Sequence, residues 1–184
     1  FVLKNSCKIC VNTDNGQRTM ATSDTILIRV ISDTHNTLPR ELLAALKGCD
    51  LLIHAGDFAT EAVLARLEKI APVAAVRGNC DTGVLATLPR TLLLERGRET
   101  ILVVHDLNSI AQDTLPPAVT LVICGHTHVP VLAGHRGRRW LNPGSPVSPR
   151  AGSAPSFAEL RIGPEGTEII HRTIPLSTRG KNPQ

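Results

Sequence analysis

Apolar residues along the chain fall in short runs, and each run ends on a polar cluster. "TILIRVIS" at 25 to 32 is rich in β-branched residues and gives way to "DTHN", which predicts a buried strand leading into a functional loop. "LPRELLAALKG" at 38 to 48 follows with helical spacing: Pro39 suits a first turn, Leu42, Leu43 and Leu46 share a face, and Gly48 ends it. "DLLIHAGD" at 50 to 57 predicts a second strand, and "TEAVLARLEKI" at 60 to 70 a second helix with Thr60 as its N-cap. "PVAAVRGNCD" repeats the strand-then-loop pattern, so the first half reads as a parallel α/β unit.

After Asp81 the texture changes. "TLLLE", "RGRE" and "TILVVHD" predict a hairpin, and "TLVICGH" predicts another buried strand. "VPVLAG", "RRWLNPGS", "FAELRIG" and "TEIIHRTI" are short strands parted by turns. So many strands with few helices predict a second, mainly antiparallel or mixed sheet packed on the first. We expect the folded domain to span residues 25 to 176, with 177 to 184 a frayed tail. Residues 1 to 24 are expected to be an extension outside the fold, because "MATSDTILIRVISDTH", beginning at Met20, reads as an ordinary start. The nineteen residues before it would then be foreign or upstream-translated.

Composition narrows the functional classes. At 184 residues the chain can bury a sizeable core without disulfides or metals, so stability does not demand any ligand cluster. Hydrophobic residues make up 42% and charged residues 20%, which excludes global disorder, and no apolar run reaches spanning length. Five cysteines, an odd number, suit a reducing cytoplasm, and Cys7 and Cys10 form a lone C-x-x-C without a second pair. The net charge of +4 owes much to the "HRGRRW" stretch, expected to be a solvated hairpin tip, with nucleic-acid contact as the less favoured reading.

The polar clusters are "SDTH" (32 to 35), "HAGD" (54 to 57), "GNCD" (78 to 81), "VHD" (104 to 106) and "GHTH" (125 to 128). Taken singly, each has an ordinary reading as a cap, a turn or a satisfied core histidine. Their recurrence at strand ends is what matters, because the carboxyl ends of strands form the ligand crevice of an α/β sheet. Asp33, His35, Asp57, Asn79, His105, His126 and His128 together offer two carboxylates, an amide oxygen and four imidazoles. That is more than one ion needs and about right for two divalent ions sharing a carboxylate, with Mn, Fe, Ni, Zn or Co suited to the donors. Two such ions outweigh two aspartates and a hydroxide, so the site stays positive and attracts a phosphate ester.

The ordered set D-x-H, G-D, G-N-C-D, H, G-H-T-H and N-P-G-S, over roughly residues 27 to 170, resembles the calcineurin-like metallophosphoesterase superfamily, in particular its small YfcE-type phosphodiesterase branch. The resemblance implies a four-layer αββα sandwich of two mixed β-sheets flanked by helices, with a dinuclear site between the sheet edges. It implies that Asp33, His35 and His128 hold one ion, Asn79, His105 and His126 the other, and that Asp57 bridges. Manganese leads the expected metals, with Mg added to the alternatives above. A metal-bridging hydroxide would then attack phosphorus in a small phosphodiester or nucleotide, with Asn79, Asp57 and His105 carrying the chemistry. Homo-oligomers are common in the family.

Two positions depart from the pattern. Larger relatives often carry histidine after the "GN" asparagine, a candidate proton donor, and here Cys80 stands there. The fifth motif is normally H-G-H, and here it reads His105, Asp106, Leu107, so Asp106 adds a carboxylate beside the second metal, where it is expected to orient a ligand imidazole, with restriction of the substrate or weakened catalysis as the alternatives. Two competing readings use the same residues. One is a non-catalytic scaffold on this fold, which would tend to lose ligands; the other is a nuclease, supported only by the arginine cluster.

Overall fold

The computed structural model describes residues 25–175 and the backbone of Val2–Leu3. The order of elements is β1 (Val2–Leu3), β2 (Ile26–Ile31), α1 (Arg40–Ala45), β3 (Leu51–His54), α2 (Glu61–Glu68), β4 (Val73–Ala75), β5 (Thr91–Arg96) and β6 (Glu99–Val104). Then come β7 (Leu121–Ile123), β8 (Val131–His135), β9 (Arg138–Asn142), β10 (Ser156–Gly163) and β11 (Gly166–Thr173). Two sheets result, one ordered β11-β10-β2-β3-β4 and the other β1-β5-β6-β7-β9-β8.

Alternation along the strands explains the layering. In β2, Ile28 and Val30 face the opposing sheet and join Ile53, Leu94, Ile101, Val103, Leu121 and Leu160 in the inter-sheet core. The next residues along β2 and β3, Ile31 and Leu52, point the other way and pack on Leu42, Leu46 and Leu67 of the helical layer. Leu102, Val122 and Trp140 form a third cluster on the outer face of the second sheet. There the cover is thinner than expected: Val119, Leu107, Ile110 and Leu115 come from a segment whose only regular structure is two 3-10 turns, Leu107–Ser109 and Gln112–Thr114. "LNSIAQDTLPP" is too broken by polar and proline residues to propagate a helix.

Three other expectations need adjustment. The late strands do not all form the second sheet: β10 returns to the first and pairs antiparallel with β2, carrying β11 with it. Val2–Leu3 pairs in parallel with Leu93 and Leu94, so these two residues of the 1-to-24 segment extend a sheet edge; Cys7 and Cys10 lie outside the described residues. Thr60 stands at the N-cap of α2 but its hydroxyl donates to Asn36 Oδ1 at 2.5 Å and not to the helix.

The "HRGRRW" stretch turns a hairpin whose tip, His135 to Gly137, is exposed as expected, while Arg138 and Arg139 reach back into the fold. Arg139 donates to the buried Glu99 carboxylate at 2.5 Å, where Thr120 and Thr167 hydroxyls also donate. Arg138 satisfies the carbonyls of Leu115 and Val119 at 3.0 and 3.2 Å, and Arg136 pairs with Asp113.

Candidate metal centre

The parallel strands β2, β3 and β4 of one sheet and β6 and β7 of the other present their carboxyl ends along a shared edge, because backbone bonds splice the loops that follow them. Asp33 N–H donates to Gly56 C=O (3.0 Å) and His35 N–H to Asp57 C=O (3.1 Å), joining the first two loops. Gly125 N–H donates to His105 C=O (3.0 Å), joining the last two. Across the sheets, the His126 amide donates to both Asp33 oxygens, at 3.2 and 3.0 Å. That close approach requires Gly125 to lack a side chain, since a Cβ there would strike Ser32 Oγ and come within 2.8 Å of Asp33 Oδ2.

All seven predicted ligand residues converge. His128 Nε2 lies 3.3 Å from Asp33 Oδ1 and 3.2 Å from His35 Nε2. Asn79 Oδ1 lies 3.1 Å from His105 Nε2 and 3.0 Å from His126 Nδ1. Between the two groups, Asp57 Oδ2 is 4.0 Å from His35 Nε2 and 3.4 Å from His105 Nε2. Asp33, Asp57, His105 and His128 are buried, His35 and His126 half-buried, and Asn79 exposed, so the centre opens to solvent on the Asn79 side.

Tautomers settle what the ring nitrogens offer. His105 Nδ1 lies 2.7 Å from Ala55 C=O and His128 Nδ1 2.6 Å from Ser148 C=O. A carbonyl only accepts, so both Nδ1 atoms carry the proton and a neutral ring turns its Nε2 lone pair inward. At His105 that lone pair meets the oxygens of Asn79 and Asp57; at His128 it meets Asp33. Acceptors facing acceptors at these distances repel unless positive charge sits among them. The residues present therefore fit divalent cations.

The electrostatics agree. Burial pushes Asp57 up, but the His105 bond and the Cys80 amide outweigh it and hold the carboxyl well below its usual range. His105 is raised although burial disfavours its charged ring, because the Asp57 carboxylate calls for positive charge at Nε2. Burial raises Asp33, which puts a carboxylate where only a nearby cation keeps it ionised at little cost.

Backbone conformation marks the same residues. Nine non-glycine residues have positive φ among those described, and five of them are Asp33, His35, Asp57, His126 and His128. Each such conformation costs of order 1 kcal/mol and persists only where its surroundings enforce it. Side-chain orientation at the ligands is thus bought with strain held elsewhere.

The holders are residues to which the motif reading gave no ligand role. Asp81, buried, accepts four backbone amides: Gly78 and Asp57 on Oδ2 (2.8 and 3.0 Å), Phe58 and Ala59 on Oδ1 (2.8 and 2.9 Å). The "NPGS" turn is a clamp: Asn142 Nδ2 donates to Gly125 C=O (2.7 Å), and Ser145 Oγ donates to Asp33 C=O (2.8 Å). His54 accepts from Gly56 N–H at Nδ1 (3.2 Å), so its Nε2 proton goes to Thr34 Oγ1 (3.0 Å), and burial pushes its pKa down to about 3. The only sequence signal for Asp81 was an acid closing the "GNCD" motif; its burial and its four amides are visible only in the fold.

Asp106 corrects an expectation. Its Oδ1 accepts from the amide and side chain of Asn108 (2.9 and 3.1 Å), capping the 3-10 turn, and no ligand imidazole bonds to it. Cys80 lies with His35 and Asp57 in a possible ligand group, and its thiol is pushed up to about 11, by burial first and then by Asp57.

Residues 26–164 match the model of the calcineurin-like phosphoesterase superfamily domain. The chain belongs to that superfamily. A probable metallophosphoesterase of Methanothermobacter thermautotrophicus is 34% identical over 82% of this chain and 95% of its own length. The phosphodiesterase YfcE of Escherichia coli K12 is 34% identical over 70% of this chain and 84% of its own. Among solved structures, YfcE of E. coli, described as a phosphoesterase, superposes with TM-score 0.63 at 24% identity, covering 82% of this chain and all of its own. Vps29 of Entamoeba histolytica, solved in complex with zinc, gives TM-score 0.63 at 20% identity with the same coverages. Both solved structures carry the metallophosphoesterase fold, and Asp33, His35, Asp57, His105 and His128 of this chain are possible metal ligands. No helix among the described residues is long and apolar enough to cross a membrane.

Proposed function

We propose that the chain is a dinuclear metal-dependent phosphodiesterase acting on small phosphodiesters or nucleotides. The observation that carries this reading is the pair of fixed tautomers: His105 and His128 turn inward lone pairs onto the oxygens of Asn79, Asp57 and Asp33. Asp33, His35 and His128 would hold one divalent ion, Asn79, His105 and His126 the other, and Asp57 would be shared. Manganese heads the candidates, with Ni, Zn, Fe, Co and Mg behind it. When bound, the ions supply Lewis acidity and make a water acidic enough to act near neutral pH.

The protein's own residues set the rest. The Ala55 and Ser148 carbonyls lock the two imidazoles, and Asp81 fixes the backbone that carries Asp57 and Asn79. Asn79 is exposed and turns Oδ1 toward His105 Nε2 and His126 Nδ1, where an ion would lie, so its Nδ2 protons, in only a 3.4 Å contact with Cys80 Sγ, are free to donate to a phosphoryl oxygen. Cys80, with a thiol near 11, is a weaker acid than an imidazolium, so the reading favours substrates whose leaving group departs without protonation.

Against the scaffold reading stands the retention and convergence of all seven donors. Against the nuclease reading stands the structural use of Arg138 and Arg139. The free thiols Cys49, Cys80 and Cys124 support a cytoplasmic setting, and the exposed Val131 and Leu132 on edge strand β8 support self-association. The test is hydrolysis of bis(4-nitrophenyl) phosphate beside 4-nitrophenyl phosphate by metal-stripped protein, with single metals restored. Diester turnover that returns with a metal supports the reading; no turnover with any metal sinks it.

A further inference from the structure

A cavity of about 400 Å³ opens beside Asn79, His105 and His126, and its lining also includes Arg77, Arg90 and Asp106. The two arginines stand together for a backbone reason: Arg77 N–H donates to Pro89 C=O at 3.0 Å, which brings Arg90, the next residue, alongside. Arg77 uses Nη1 on the Ala86 carbonyl at 3.1 Å, leaving its other N–H groups unassigned, and Arg90 is exposed. No ion pair of either guanidinium occurs among the described residues. The acid nearest in sequence to the Asn79 motif, Asp81, has both oxygens taken by four amides and does not answer them. Among the described residues neither arginine bonds to any of the seven metal-ligand candidates, so the pair plays no part in holding them.

We propose that Arg77 and Arg90 form an anion subsite that binds a second phosphate of the substrate, and that preferred substrates are phosphodiesters carrying a further phosphate group. Two guanidinium forks match a tetrahedral oxyanion in donor geometry, and they are the cationic side chains of a lining whose two carboxylates, Asp81 and Asp106, already accept backbone or side-chain N–H groups. The cavity adjoins Asn79, His105 and His126 and not His35 or His128, so the second phosphate lies on the open side of the centre. Asp106 also lines this cavity and bonds through Oδ1 alone, so its second carboxylate oxygen is the acceptor that would suit a hydroxyl of the group joining the two phosphates. This inference deepens the phosphodiesterase reading and rests on it for the scissile step.

The test uses a matched pair, thymidine 5′-(4-nitrophenyl phosphate) with and without a 3′-phosphate, on the metal-restored full chain. The 3′-phosphorylated ester should show kcat/KM higher by about tenfold, equal to about 1.4 kcal/mol. The ratio should fall to about one in Arg90→Gln and in Arg77→Gln. A second arm, calorimetric binding of thymidine 3′,5′-bisphosphate against thymidine 5′-monophosphate, needs no turnover. Turnover of both esters at equal efficiency, with equal binding of both nucleotides, overturns the subsite and leaves the phosphodiesterase reading standing. Absence of turnover with an arginine-dependent preference for the bisphosphate upholds the subsite and removes the reaction. A preference that survives both substitutions overturns the assignment to Arg77 and Arg90.

Discussion

Replacing Asp81 by asparagine changes one atom of a side chain that touches neither substrate nor predicted ligand oxygen. The carboxylate takes two amides on each oxygen, Gly78 and Asp57 on one, Phe58 and Ala59 on the other. In Asp81→Asn one oxygen becomes an NH2 group, so two of the four amides face a donor whichever way the side chain flips. Hydrogen bonds to charged groups contribute about 1.5–3 kcal/mol each, so losing two costs about 3–6 kcal/mol before relaxation. Total stability of such a domain is about 5–15 kcal/mol, so the loss is large but the variant should still fold in the cold. Urea unfolding should show it directly, and Asp81→Ala, which strands all four amides, should be worse. Because these amides set the Asp57 and Asn79 loops, metal affinity should fall about 10–100-fold. An Asp81→Asn protein within 0.5 kcal/mol of wild type on the scale of ordinary surface changes, with unaltered metal affinity, would refute the reasoning.

Gly125→Ala places a methyl against Ser32 Oγ and Asp33 Oδ2, so metal affinity should drop while far-ultraviolet circular dichroism is kept; unchanged affinity in a metal titration would contradict the close approach. Asp106→Gly removes a cap and should cost about 1 kcal/mol in thermal or urea unfolding without altering metal affinity, since Asp106 bonds only to Asn108 and its own turn. Arg139→Met leaves the buried Glu99 with only hydroxyl partners. Glu99 is held below its usual range: burial raises it, but Thr120, Thr167 and Arg139 outweigh that, so the stability it supplies is present above its unfolded pKa and lost as pH falls through the folded one. The destabilisation by Arg139→Met, about 3 kcal/mol at pH 7, should therefore shrink below pH 4.5 in unfolding titrations. His54, neutral in the fold with its pKa near 3, takes a proton only on unfolding between about 6.5 and that value, so stability falls with acidification by about 1.4 kcal/mol per pH unit; His54→Leu should lose that slope.

Strand periods and polar strand ends were enough to bring Asp33, His35, Asp57, Asn79, His105, His126 and His128 to one edge, because a β-strand's register ties a chemical cluster to a sheet terminus. Two kinds of feature were hidden. Sheet membership was one: nothing in "FAELRIG" distinguishes pairing with β2 from pairing with β5, since both faces of β10 are buried and only the global topology decides. Convergent backbone bonding was the other. Asp81 looks like a turn residue and Asn142 like a punctuation mark until the four amides and the Gly125 carbonyl are seen around them. Asp106 misled because adjacency in sequence to His105 does not give a bond between the side chains: the carboxylate lines the same cavity as His105 but is held by Asn108 of its own 3-10 turn. The arginine cluster reads as a solvated hairpin tip, and the tip at Arg136 is exposed; what the sequence hid is that Arg138 and Arg139 turn back to satisfy the Val119 carbonyl and Glu99.

The most direct test of the central claim is metal stoichiometry measured on one preparation with and without Asp57→Asn, by titrating metal-stripped protein with manganese in a calorimeter and assaying diester hydrolysis in the same samples. The account predicts two ions per chain in the wild type, turnover that rises as the second ion binds, and loss of both the second ion and turnover in Asp57→Asn. Binding of a single ion, or turnover that persists in Asp57→Asn with full metal occupancy, would contradict a shared carboxylate at the heart of the site.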